Sequence, residues 1–137
     1  MGTRKKEQGF TLVEIMIVVA IIALLAAIAI PNLLRARMTS NDALAKATLR
    51  AMSTAAESFG TANNGNFPAD ETALTGATPP YLNTGYCALT TANGAVAGFE
   101  YVCDMSSSGY TITATPLHLG STGSTVLTIT SGGVLTP

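Results

Sequence analysis

Residues Ile15–Ile30 read IMIVVAIIALLAAIAI, sixteen apolar residues in succession, and no charge appears until Arg35. The twenty uncharged residues between Glu14 and Arg35 match the ~20 that cross a bilayer as a helix. A chain of 137 residues has room for one modest core, too small to cover such a stretch all round. Lipid, or other copies of the same segment, must be its surroundings. Arg4, Lys5 and Lys6 precede the run. By the positive-inside rule they leave residues 1–9 in the cytoplasm and send the C-terminal part outward.

Two familiar kinds of segment share this outline. A cleaved secretory signal is suggested by Ala27-Ile28-Ala29, which is shaped like a signal-peptidase site. Ile30 and Pro31 fit poorly just beyond such a cut, and the run flows directly into an amphipathic helical pattern, as if it is kept. A plain membrane anchor accounts for length and orientation but not for Glu14. An acid in a membrane helix costs about 2.5–3.5 kcal/mol at the helix centre, so its presence argues for a function.

Gly9-Phe10-Thr11-Leu12-Val13-Glu14, after a short basic leader and before the apolar run, resembles the prepilin signal of type IV pilins and type II secretion pseudopilins. The similarity extends over roughly residues 4–37 and includes Ala29-Ile30-Pro31-Asn32. It implies cleavage between Gly9 and Phe10 by a prepilin peptidase/methyltransferase on the cytoplasmic face, and N-methylation of Phe10. It further implies an inner-membrane precursor with a cytoplasmic N-terminus. That precursor would pass, through pilus or secretion assembly machinery, into a helical homo-oligomer, either an extracellular pilus or a periplasmic pseudopilus. The physical logic stands beside the family. Gly9 offers no side chain to obstruct a protease, and cutting there creates an α-ammonium four residues before Glu14. A carboxylate in an apolar layer needs a cation, and the terminus of a neighbouring copy can supply it.

Beyond the run, Ala45, Leu49, Met52, Ala56 and Phe59 recur at helical spacing on one face, while Lys46, Arg50, Ser53 and Glu57 fall on another. Asp42 and Lys46 form an i,i+4 pair worth about 0.2–0.5 kcal/mol. A helix from Phe10 to Phe59 is about 75 Å long at 1.5 Å per residue, with Gly60 and Asn63-Asn64-Gly65 ending it. Pro31 lies inside, removes one backbone donor, and predicts a kink or local unwinding. Related pilins often carry a glycine in the apolar run, but this chain has none between Gly9 and Gly60.

Residues 66–84 form a polar connection in which Asp70 caps a short turn through Leu74. Strands are expected at Tyr86–Thr91, Gly98–Asp104, Tyr110–Thr115 and Thr125–Thr130, divided by Asn93-Gly94, Ser106–Gly109 and Gly120–Gly123. The expected fold is α+β, a long N-terminal helix packed on a C-terminal antiparallel sheet of about four strands. The divisions are a leader (1–9), a membrane and filament-core helix (10–34), an amphipathic helix (35–60) and a globular head (61–137). Cys87 and Cys103 centre on the turn region Ala92–Gly98, so an antiparallel register sets them opposite each other. A cross-strand disulfide is expected in an exported domain, and unrelated buried thiols are the alternative.

Little else suggests chemistry. His118 is the only histidine, so no His-based metal cluster or triad can form. Ser106–Ser108 read as a turn, and the adjacent acids Asp70-Glu71 fall short of the six to eight oxygens calcium takes. Tyr81, Tyr86, Phe99, Tyr101 and Tyr110 are core or hairpin residues. With no Lys or Arg after Arg50, direct nucleic-acid binding is not expected. No enzyme activity, cofactor or metal is expected. The leading function is a structural subunit of a type IV pilus serving adhesion, motility or DNA uptake. The alternative is a secretion pseudopilin, which the acid-free stretch after Asp104 disfavours. A solitary membrane-anchored binding domain is a third class.

Overall fold

The computed structural model describes residues 9–87 and 95–137. The chain divides into two compact units, one ending at Leu34 and the other Arg35–Pro137. Helix α1 (Leu12–Ala62) provides the described secondary structure of the first and one layer of the second. Its length follows from composition: Ala, Leu and Ile dominate, no glycine occurs before Gly60, and Pro31 is the one residue in that span that opposes a helix. Pro31 does not interrupt it, so the unwinding expected there is not a feature of this chain on its own. The Asn32 side-chain amide donates to the Ile28 carbonyl at 3.1 Å, adding a contact next to the bond that Pro31 cannot make.

In the second unit, α1 faces a four-stranded antiparallel sheet in the order β1-β2-β3-β4, comprising β1 (Phe99–Ser106), β2 (Gly109–Pro116), β3 (Leu127–Thr130) and β4 (Val134–Thr136). A single turn, α2 (Thr72–Thr75), lies in the connection. The expected buried face of the helix is borne out: Ala45, Leu49, Met52 and Ala56 are buried, with Phe59 packed at the margin. Tyr110, Ile112 and Ala114 point inward from β2, and Thr111 and Thr115 point out. Phe99, Tyr101, Leu127 and Ile129 complete the core with Leu74. Burying each such large apolar side chain contributes about 1.5–3 kcal/mol. Gly123 is required by packing, because a Cβ there would meet the Phe99 ring at 2.4 Å.

Four expectations need correction. Tyr86 and Cys87 are not in a strand, and residues 88–91 and the Asn93-Gly94 turn lie outside the described residues. The fourth strand is instead β4, beyond the Gly132-Gly133 turn, and pairs with β3 from Thr128↔Thr136 to Thr130↔Val134. Asp42 does not pair with Lys46. Its carboxylate accepts from the Ser124 backbone N–H at 3.0 Å and hydroxyl at 2.6 Å. Two charge-assisted bonds that also fix a loop outweigh a solvated pair worth about 0.2–0.5 kcal/mol. Ser53 and Glu57 do not share the solvated side of Lys46 and Arg50. Ser53 is buried with its hydroxyl 2.7 Å from that of Tyr110, whose O–H reaches Glu57 at 2.9 Å.

Glu57 also accepts from the Gly132 N–H at 2.7 Å, so one carboxylate joins α1 to the β2 hydroxyl and the β3–β4 turn. Tyr110→Phe is expected to lower head stability by about 1.5–3 kcal/mol in urea titrations, the range for a hydrogen bond to a charged group. Burial pushes the Tyr110 phenol above its ordinary pKa, and the Glu57 carboxylate adds to that rise. A raised pKa favours the neutral folded form. The contribution is complete below the unfolded value of about 10 and is lost as pH rises toward the folded one. The alkaline loss of stability should be shallower in Tyr110→Phe than in the native chain.

Candidate processing and assembly site

The N-terminal end of α1 brings three of the expected residues together. Gly9 and Phe10 precede the helix, and Glu14 falls in its first turn. A Cβ at Gly9 would meet nothing within 4 Å, so the fold itself makes no demand for glycine there. Phe10 is 86% exposed and buries nothing within the chain.

Glu14 has a partner that the sequence reading missed. Its Oε2 accepts from the Thr11 N–H at 2.8 Å and from the Thr11 hydroxyl at 2.7 Å. The Thr11 hydroxyl oxygen accepts in turn from the Glu14 N–H at 3.3 Å. This is a capping box, in which Thr11 precedes the helix and Glu14 occupies its third position. The signal was available in the spacing Thr11-x-x-Glu14. The box satisfies backbone donors that a helix start leaves open, and it anchors an acid where the helix dipole favours one. Only Oε2 is used among the described residues; Oε1 accepts no hydrogen bond there. From Ile15 to Leu34 the side chains of α1, Ala26 excepted, are exposed in the described chain, and the apolar stretch is long enough to cross a membrane.

In the second unit, Cys87 and Cys103 form a disulfide with Cα atoms 5.4 Å apart. Cys103 lies on β1 opposite Ile112 of β2, while Cys87 lies outside any strand. The Glu71 carboxylate holds that segment by accepting from the backbone N–H groups of Tyr86 and, at 2.9 Å, Cys87. Asp70 accepts from the Thr72 hydroxyl and from the Ala73 N–H at 3.1 Å, and these bonds, the Thr72 one foremost, keep its carboxyl below the usual range. The two adjacent acids are thus spent on local structure. No group of three or more His, Cys, Asp or Glu suited to a metal occurs among the described residues.

Comparison with known proteins places the family described as "Prokaryotic N-terminal methylation motif" on residues 4–30. Over 54 residues the chain is 54% identical to the type IV major pilin protein PilA of Myxococcus xanthus, covering 39% of this chain and 24% of that protein. It is 56% identical over 45 residues to the type IV wide pilus major component PilA4 of Thermus thermophilus, covering 33% and 34%. It is 50% identical over 54 residues to a fimbrial protein of Pseudomonas aeruginosa, covering 39% and 35%. The chain thus spans between 24% and 35% of the length of these relatives. No solved structure matches it significantly.

Proposed function

We propose that this chain, which carries the N-terminal methylation motif and resembles type IV pilins, is a non-enzymatic structural subunit of a type IV pilus. Its stored form sits in the inner membrane through residues 10–34, with the leader 1–9 cytoplasmic and the head outside. A prepilin peptidase cuts between Gly9 and Phe10 and methylates the new amine. Copies then assemble through their N-terminal helices into a helical filament.

One observation carries this proposal: the twenty uncharged residues 15–34 of α1, most of them within the stretch that the methylation motif matches, have almost no cover among the described residues. Leaving so many large apolar side chains in water forfeits about 1.5–3 kcal/mol apiece, so lipid and then neighbouring copies must bury them. The secretion-pseudopilin alternative draws no comparable support, since the relatives reported above are named as pilins or fimbrial proteins.

Peptide mass spectrometry of sheared filaments tests the proposal. The expected N-terminal peptide begins at N-methylated Phe10. A chain that starts at Ile30, or one that never leaves the membrane fraction, would overturn it.

A further inference from the structure

The cations of the chain are distributed in two groups. Arg4, Lys5 and Lys6 lie in the leader, and Arg35, Arg37, Lys46 and Arg50 lie on α1, with none beyond. All four helix cations are exposed, and none forms an ion pair among the described residues. Asp42, the nearest acid in sequence, gives its oxygens to Ser124. Among the described residues, Arg35 and Arg37 therefore stand without an ion-pair partner immediately after the apolar stretch.

Their position along the helix selects a partner. Glu14 and Arg35 bracket twenty residues, about 30 Å at 1.5 Å per residue, which equals the thickness of a bilayer's hydrocarbon core. With Glu14 at one boundary, Arg35 reaches the phosphate level of the opposite leaflet. Arg37 lies two residues on, about 200° around the helix, and so meets lipid on the other side. Lys46 and Arg50 lie about 17 and 23 Å past Arg35, beyond the headgroup layer.

We propose that Arg35 and Arg37 form a two-sided seat for the phosphates of anionic phospholipids in the outward-facing leaflet, fixing the depth of the stored subunit. This rests on the membrane-stored precursor proposed above. The guanidinium fork matches phosphate oxygens in paired hydrogen bonds, and an anionic lipid such as phosphatidylglycerol lacks the headgroup ammonium that competes for the phosphate in phosphatidylcholine. Removal of the leader takes away Arg4, Lys5 and Lys6. Every remaining side-chain cation then lies on the head side, so the seat becomes the chain's main electrostatic hold on the bilayer.

The test uses the full chain in phosphatidylcholine vesicles containing phosphatidylglycerol, with a fluorophore on Ser40→Cys. Quenching by spin-labelled phosphatidylglycerol is compared with quenching by spin-labelled phosphatidylcholine. The native chain should favour phosphatidylglycerol. Arg35→Gln or Arg37→Gln alone should lower that preference about fivefold, following ~1 kcal/mol per basic residue near a charged surface, and the double variant should abolish it. Arg35→Lys/Arg37→Lys should retain most of it, and Lys46→Gln/Arg50→Gln should leave it unchanged. Equal quenching by the two lipids, or a preference that survives the double Gln variant, overturns the seat. So does a double variant that keeps its lipid preference but loses filament yield, because the arginines then serve a neighbouring copy. Carbonate extraction separates the two proposals. A chain that stays in the vesicles without a preference defeats the seat alone, whereas a chain that is released defeats membrane storage and the seat with it.

Discussion

Cys87→Ser is expected to lower the unfolding free energy of the second unit by about 3 kcal/mol, the chain-entropy estimate for a loop of this size. For a unit of this length that corresponds to a fall in melting temperature on the order of 15 °C. The loss arises in the unfolded state. The bridge joins residues separated by 16 positions, and without it the unfolded chain regains the freedom that closure had removed. Glu71 cannot replace the bridge, since its bonds to the Tyr86 and Cys87 N–H groups exist only once the fold has formed. Those bonds should nevertheless keep the native position of Cys87 in the variant. Cys103→Ser should behave alike, because either change opens the same loop. Neither should affect membrane insertion, which depends on residues before Arg35. Urea unfolding of the full chain in detergent measures the difference, and a change below about 1 kcal/mol would show that the bridge removes little freedom from the unfolded chain.

The parts of the fold legible in the sequence were those governed by periodicity. Leu49, Met52 and Ala56 repeat at helical spacing, and Tyr110-Thr111-Ile112-Thr113-Ala114 alternates, so both inner faces could be located from neighbours a few residues away. Cys87 shows the limit of such reasoning. Tyr86–Thr91 had a strand-like composition, but the N–H groups of Tyr86 and Cys87 are taken by Glu71, fifteen and sixteen residues earlier. A carboxylate at that range leaves no periodic trace. The cysteine pairing survived the error, since it needs two nearby Cα atoms and not a hairpin. Strand β4 was missed for another reason: at three residues, Val134–Thr136 is too short to display alternation. The Gly132-Gly133 turn, with φ of 86° and 73°, was its one visible signal.

At the N-terminal site the motif was legible and the geometry was not. Glu14 stood out because an acid beside a membrane span demands an explanation, but the partner sought for it was on another copy. The nearer partner, Thr11, follows from the capping-box spacing. With Thr11 engaged, the chain on its own does not hold a bare carboxylate. The two donors on Oε2 ease its placement at the edge of an apolar layer, and Oε1 accepts no hydrogen bond among the described residues.

Glu14→Leu is accordingly expected to leave the protein inserted in the membrane and cleaved after Gly9, yet nearly absent from sheared filaments. In the proposed assembly this helix end would pass from the lipid interface into an apolar bundle, where an uncompensated charge costs several kcal/mol. There, the methylated Phe10 ammonium proposed for an adjacent copy could offset that cost only if the two helices were staggered by about one turn. A neighbour in the wrong register leaves both charges buried and unpaired, so the pair selects the right register by penalising the others. Leucine removes the penalty and the selection together. Glu14→Asp should be intermediate, because the shorter arm reaches both the Thr11 donors and the ammonium less well. Thr11→Ala separates the two tasks of the carboxylate. It removes the hydroxyl bond to Oε2 but leaves the charge, so it should lower helix-start stability by about 0.5–2 kcal/mol while retaining more filament than Glu14→Leu. Each variant is expressed as the sole subunit, and sheared-filament yield is compared with the membrane pool. Native yield from Glu14→Leu would mean that apolar packing alone sets the register, and the electrostatic account would be wrong.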